Sequence, residues 1–441
     1  MWGHYMALAL RSSRRSKALT ALVVALLAFG VAACMISYAV FRATTSDPLP
    51  SRSATLFTPQ VDNVGPEHTE NGQPPEMLST IDAMALWQAG KAKRQALVYS
   101  TKWGLESNNP AAPALATTGD AVTADFFPMF EVPFRFGGGW SANDDARHAS
   151  VVVISGALNR KVFGGRNSVG QELRLDGKTF QVAGVLDDWN PRPRFFDVAI
   201  YGSNAFADAG DVYIPFSRAT DMHKDVKFPD CRSDVGGTDP RDWAAYLHGE
   251  CNRVTAWVEL PTADDVARYR AFLDGYALEQ QRLGRFGWPP NVGLHDLMSW
   301  MDYLKITPPA STLSMLVSAS FLLIVLVNVV GLMLARFMRR APEIGIRRAL
   351  GASRRSVYRQ FLVEGASIGF VGGVLGVVLT MLGLWGLGGL FEPGIARLVH
   401  ADASLVGLTV LLSTAATLAA ALYPTWRAAQ TEPAWQIKIN P

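Results

Sequence analysis

Nowhere in the 441 residues does G-x-x-x-x-G-K-[ST] occur, so no loop of this sequence is built to cradle nucleotide phosphates. The glycines at 137–139 lack the lysine that would reach a nucleotide. Ser155-Gly156 reads as a turn, not as a nucleophile elbow. Seven histidines stand at 4, 68, 148, 223, 248, 295 and 400 without H-x-x-x-H or any paired spacing, which argues against a metal centre. Asp187-Asp188 reads as a solvated strand end. The chain is therefore expected to be no enzyme, with no cofactor or metal bound by its own residues.

Charge is missing from four long windows: Ala18–Phe41, Ile306–Ala335, Gly365–Phe391 and Ala403–Trp426. Each exceeds the ~20 apolar residues needed to cross a bilayer. The second window opens on Pro308-Pro309, which places the start of its span nearer Thr312. With 49% hydrophobic residues and a positive mean hydropathy, the chain reads as an α-helical membrane protein with four transmembrane helices. The spans contain no ionisable side chain, which argues against a carrier with a buried proton relay. Asn328 is their main strongly polar exception and could hydrogen-bond across a helix interface. Gly369 and Gly373, with Gly372 and Gly376, would let backbones approach closely, within one subunit or across a dimer.

The basic residues set the orientation. Arg11, Arg14, Arg15 and Lys17 place residues 1–17 inside, as a cytoplasmic tail. Residues 42–305 then lie outside, 336–364 inside, 392–402 outside and 427–441 inside, around spans at 18–41, 306–335, 365–391 and 403–426. The inside segments hold 14 Lys and Arg against 3 acidic residues, leaving 27 against 35 for the rest. That asymmetry is a topology signal and leaves nothing for a nucleic-acid reading. Arg14-Arg15 and Val31-Ala32-Ala33-Cys34 loosely imitate export and lipoprotein signals, yet apolar character continues through Phe41, so an uncleaved anchor is expected. Only three cysteines occur. Cys231 and Cys251, both external, could be bridged in an oxidising compartment, with two free thiols as the alternative.

What the chain has in abundance is arginine in one place. Residues 336–364 carry eight arginines against Glu343 and Glu364. Pro342 and Glu343 suit a helix first turn, Ile344 and Leu350 give it an apolar side, Gly351 suits a stop, and Ser353 suits the N-cap of the next helix. A short helix held at a membrane surface fits docking into a groove of a cytosolic partner.

EIGIRRALGASRRSVYRQFLVEG resembles the cytoplasmic signature of the FtsX-like permease family, the membrane subunits of MacB-type (type VII) ABC transporters. The match runs through Glu343, Ile344 and Gly345, then Arg348, Ala349, Leu350, Gly351 and Ala352, and closes on Glu364. The resemblance implies that this loop is an ATPase-coupling helix, with Arg347, Arg354 and Arg355 among its contact residues. Asp125-Phe126-Phe127, the strand Val151–Ser155, Phe163-Gly164, Ser168-Val169-Gly170 and Phe180–Leu186 resemble the same family's periplasmic core domain. Tyr423-Pro424, Trp426–Ala429 and Glu432-Pro433 resemble its C-terminal ending. No family pattern is visible over 190–250, and no second three-span unit appears.

The external region is expected to be an α+β domain inserted between the first and second helices. Ser79–Leu97 reads as an amphipathic helix and Ser150–Ile154 as a strand. Glu172–Leu175 and Lys178–Leu186 form a hairpin around Asp176-Gly177. Val212–Ile214 and Val254–Leu260 are further strands, and Thr262–Leu283 is a helix capped by Thr262.

Taken over the family, the resemblance implies a permease subunit of an exporter that passes motion from an ATPase through the coupling helix and first two spans to the periplasmic domain. It implies a separate ABC ATPase dimer that uses ATP and Mg, a second permease subunit, identical or paralogous, and membrane lipids as surroundings. A periplasmic adaptor and an outer-membrane channel would fit a tripartite pump in a bacterial inner membrane. The cargo would be amphiphilic or peptide-like. A transducer activating a periplasmic cell-wall hydrolase, and an anchored scaffold without an ATPase, are the alternatives.

Overall fold

The computed structural model describes residues 17–69, 72–106, 115–201, 205–227, 229–231, 239–339, 346, 353–386 and 403–430. They divide into two compact units, one comprising Asp47–Ile306 and the other the chain on either side of it.

In chain order the main helices are α1 (Lys17–Thr45), α2 (Thr80–Ala89), α3 (Ala142–Ala146), α4 (Phe216–Asp221), α5 (Trp243–Leu247), α6 (Ala263–Arg282), α7 (Pro309–Met338), α8 (Arg354–Gly386) and α9 (Ala403–Gln430). The inserted unit is built on strands β1 (Leu56–Val61), β2 (Leu78–Ser79), β3 (Gln95–Leu105), β4 (Leu115–Val122), β5 (Phe134–Gly137) and β6 (Val151–Ile154). β7 (Glu172–Leu175), β8 (Lys178–Leu186), β9 (Val212–Pro215), β10 (Asn252–Glu259) and β11 (Val292–Asp296) complete it.

Among the described residues these strands make one mixed sheet in the order β11-β1-β10-β3-β4-β9-β6-β8-β5, with β2 on β10 and β7 on β3 and β8. Most pairs are antiparallel; β4–β9 and β6–β8 are parallel. The β7–β8 hairpin closes on Asp176 and Gly177, whose φ of 48° and 76° are the left-handed pair a two-residue turn requires.

Ser79–Leu97 does not form one helix. α2 stops at Ala89 because Gly90 turns left-handed and gives its N–H to Trp87 O. Leu97 belongs instead to β3, which pairs with β10 on one side and β4 on the other. The helix after Thr262 is fastened as its sequence suggests. Thr262 Oγ1 accepts from Asp265 N–H, the Asp265 carboxylate reaches back, and Tyr269, Leu273 and Ala277 are buried at four-residue intervals. A second core is aromatic: Phe126 lies edge-on to Phe127, Phe130, Trp189 and Phe196 at centroid separations of 4.9–5.7 Å. Cys231 and Cys251 are joined by a disulfide, their Cα atoms 4.4 Å apart.

Charges enter this unit in clusters. Arg285 joins Asp82 (2.6 Å) to Glu250 (2.7 Å), and buried Glu259 takes Lys93 and Arg94, each at 2.8 Å. Arg194 bonds Asp197 and lies 3.5 Å from Asp120, and all three side chains are buried. Two carboxylates there share one guanidinium, so burial pushes both Asp120 and Asp197 upward despite Arg194.

The sign of the resulting pH dependence follows. A carboxylic acid whose folded pKa is raised binds protons the unfolded chain has lost, so its stabilising contribution is full in acid and fades as pH rises through the folded value. Acidic groups shifted downward, such as Glu131 and Asp296, act only in more acidic solution. Half-buried His295, its imidazole pushed down by burial, opposes this below its ordinary value of 6.5, so unfolding free energy is expected to fall between about pH 6.5 and pH 8. Asp197→Asn, which mimics the protonated acid, should flatten that decline in urea titrations at several pH values.

Candidate functional site

Four described helices are long and apolar enough to cross a membrane: Lys17–Thr45, Pro309–Arg336, Arg355–Gly386 and Ala403–Leu422. α7 begins at Pro309, where proline at the first helical position loses no hydrogen bond. The α8–α9 interface is tight because glycine removes the side chains that would hold the backbones apart. A Cβ on Gly369 would lie 2.9 Å from Thr414 Cα, and one on Gly373 3.0 Å from Val410 Cα. Ser413 Oγ then donates to Gly369 O at 2.8 Å. Gly369 and Gly373 thus pack within the subunit.

Asn328 does not share that role. Its side chain is exposed, level with exposed Ile324 and Val327. The 3.6-residue period sends Val325, Val329 and Met333 inward and turns Asn328 away. It makes no interhelical bond within the described bundle.

At one end of the bundle, α7 and α8 flank the arginine-rich loop. Arg336 Nη2 contacts Glu364 Oε1 at 2.5 Å, with the two side chains 3% and 1% exposed. Around them Val329, Met333, Val357, Phe361, Ile368 and Ala421 form an apolar cluster. An isolated charge is very costly in such surroundings, a cost the contact between the two side chains reduces. Ser353 Oγ accepts from Ser356 N–H at 3.2 Å, capping the helix that begins at Arg354.

Arg355 and Arg359 are exposed on the first turns of α8, and Ile346 is exposed within the loop. Glu343, Ile344, Gly345, Arg347, Arg348, Leu350 and Gly351 lie outside the described residues, and the side chain of Arg354 is likewise not described. The site is thus a basic segment fastened at both flanks by a buried ion pair. Sequence reasoning counted Arg336 among the basic residues and missed its partnership with Glu364. The signal was available: the two are the first charges at the facing ends of consecutive charge-free windows.

A family model for the MacB-like periplasmic core domain matches residues 20–271, more than half of the chain, and one for the FtsX-like permease C-terminal region matches residues 315–433. The chain belongs to the MacB/FtsX-like permease family. It is accordingly a multi-pass membrane protein whose inserted unit is of the periplasmic type.

Among curated relatives, the pyoverdine export ATP-binding/permease protein PvdT of Pseudomonas entomophila (strain L48) is 30% identical over 267 residues, covering 58% of this chain and 34% of that protein. The macrolide export ATP-binding/permease protein MacB of Pasteurella multocida (strain Pm70) is 25% identical over 274 residues, covering 62% and 35%. This permease chain thus spans roughly a third of the length of those relatives. The crystal structure of the periplasmic region of MacB from Actinobacillus actinomycetemcomitans aligns with 59% of the chain and 97% of its own length, at 13% identity and a TM-score of 0.37.

Breaking the buried pair should cost far more than removing it. Glu364→Gln removes the carboxylate charge in contact with the buried Arg336 guanidinium and is expected to destabilise the membrane unit by about 3–5 kcal/mol. Arg336→Met combined with Glu364→Leu should recover most of that loss. Thermal unfolding of the full chain in detergent checks both.

Proposed function

We propose that this chain is the permease subunit of an ATP-driven exporter, with residues 336–364 as the segment that meets the ATPase. In this reading Glu343, Ile344, Gly345, Arg347, Arg348, Leu350, Gly351, Arg354 and Arg355 form the contact. ATP and Mg are used by an ATPase dimer, and a second permease subunit, identical or paralogous, completes the membrane part. Both chain ends of the permease face the cytoplasm of a bacterial inner membrane, surrounded by lipid, and 42–305 faces the periplasm. There it would engage an adaptor and outer-membrane channel and act on an amphiphilic or peptide-like cargo.

The observation that carries this reading is the basic loop with both flanks fastened by Arg336–Glu364. A loop tied to one span alone would dissipate a push by bending. One tied to both delivers it to α7 and α8 together, and α7 follows directly in the chain after the inserted unit. The export functions in the names of the relatives support the direction of transport.

The test is a mild-detergent purification of the tagged chain with mass spectrometry of what accompanies it. A P-loop ATPase is expected, and its recovery should fall at least about tenfold, ~1.4 kcal/mol, when Ile344 and Leu350 are both changed to Asp, with membrane insertion unaltered. A cell-wall hydrolase in the eluate would redirect the reading to a transducer. No ATPase after cross-linking would overturn it in favour of an anchored scaffold.

A further inference from the structure

The inserted unit contains a cavity of about 630 Å³ between one face of α2 and the group formed by α3, α4 and the end of α5. Its size falls within the range of small-molecule sites. Ile81, Met84, Ala85 and Trp87 line one wall, and Leu97 and Phe216 belong to the same apolar lining. The four α2 residues are only half-buried, so apolar surface faces the space. Such surface gains from contact with an apolar ligand body.

The polar edge carries two carboxylates and the imidazoles of His148 and His248. Asp145 and Asp221 line the cavity, and no Lys or Arg does. Asp221 is engaged only by a neighbour on the rim, His148 Nδ1 at 2.6 Å. Asp145 is 5% exposed, and its carboxylate accepts from Ala124 N–H at 2.6 Å and Trp140 Nε1–H at 2.8 Å. Neither donor is a cation. The adjacent arginine, Arg147, bonds Asp144 at 2.6 Å instead. Every other buried carboxylate cluster described above contains a guanidinium or ammonium group. Burial accordingly pushes Asp145 up, to about 6. A buried carboxylate without a counter-cation, in the wall of an apolar cavity, is the arrangement a cationic ligand would complete.

The geometry points to a binding site for a small amphiphilic cation, its apolar body against α2 and Phe216 and its cationic centre on the Asp145–Asp221 side. This assignment concerns the inserted unit alone and stands whether or not the exporter reading holds.

Two tricyclic fluorophores of similar size and opposite charge test it: 9-aminoacridine, a cation at neutral pH, and anthracene-9-carboxylate. Fluorescence anisotropy is read with the full chain in detergent, after subtraction of detergent alone. Saturable binding of 9-aminoacridine is expected, at least about tenfold tighter than that of the anion. Asp221→Asn, at an exposed position, should weaken it about fivefold, and Ala85→Trp should abolish it by filling the space.

Should Ala85→Trp fail to fold, Ala85→Cys gives a second reading. Its maleimide labelling should slow in the presence of 9-aminoacridine and not of the anthracene acid. Equal affinity for the two probes, binding unchanged in Ala85→Trp, or labelling unaffected by 9-aminoacridine would overturn the assignment.

Discussion

A charge placed in an apolar bundle must find its opposite, and in this chain that requirement falls on Arg336 and Glu364. Their contact at 2.5 Å joins the last turns of α7 to the first turns of α8. Because separating the two charges in that setting is costly, the contact holds the two helix ends together. The glycine face of α8 then extends the constraint, since Gly369 and Gly373 bring α9 against the same helix with backbone-to-backbone closeness. The arginine-rich segment therefore departs from and returns to a fixed base.

The inserted unit obeys the same rule with different partners. Glu259 is surrounded by Arg52, Lys93 and Arg94, and Arg285 joins two carboxylates from distant parts of the chain. Asp120 and Asp197 share Arg194 and resolve the imbalance by favouring the protonated acid. Asp62 and Asp145 use neither a cation nor a second carboxylate: Asp62 accepts from backbone amides and Asn291, and Asp145 from a backbone amide and an indole. The position of Asp145 beside open space is what separates it from the rest.

How far the sequence spoke depended on the range of the cause. The spans were legible because a bilayer demands an unbroken apolar length that no soluble element needs. The Asp176-Gly177 hairpin and the Thr262 cap were legible because each is decided within a few residues. Leu56–Val61 was not, since Thr58, Pro59 and Gln60 look like loop residues and are buried only because β10 and β11 flank them. Residues 95–97 continue an apolar helical spacing, and pairing with β10 makes them strand. For Asn328 the polarity is legible and the face it occupies is not. Without the inward row of Val325, Val329 and Met333 as a reference, one polar residue does not reveal its direction.

Polar atoms within the spans are also consumed locally. The hydroxyls of Thr380, Thr409 and Thr417 donate to carbonyls one turn back, at 2.7–2.8 Å, and Ser413 donates to Gly369. Hydroxyls satisfied in this way offer little to a polar cargo, and the glycine contacts between α8 and α9 leave no room for one there. The inserted unit holds open space that combines apolar walls with two carboxylates. Selectivity for whatever this permease handles is then more economically placed in that unit than in the bundle.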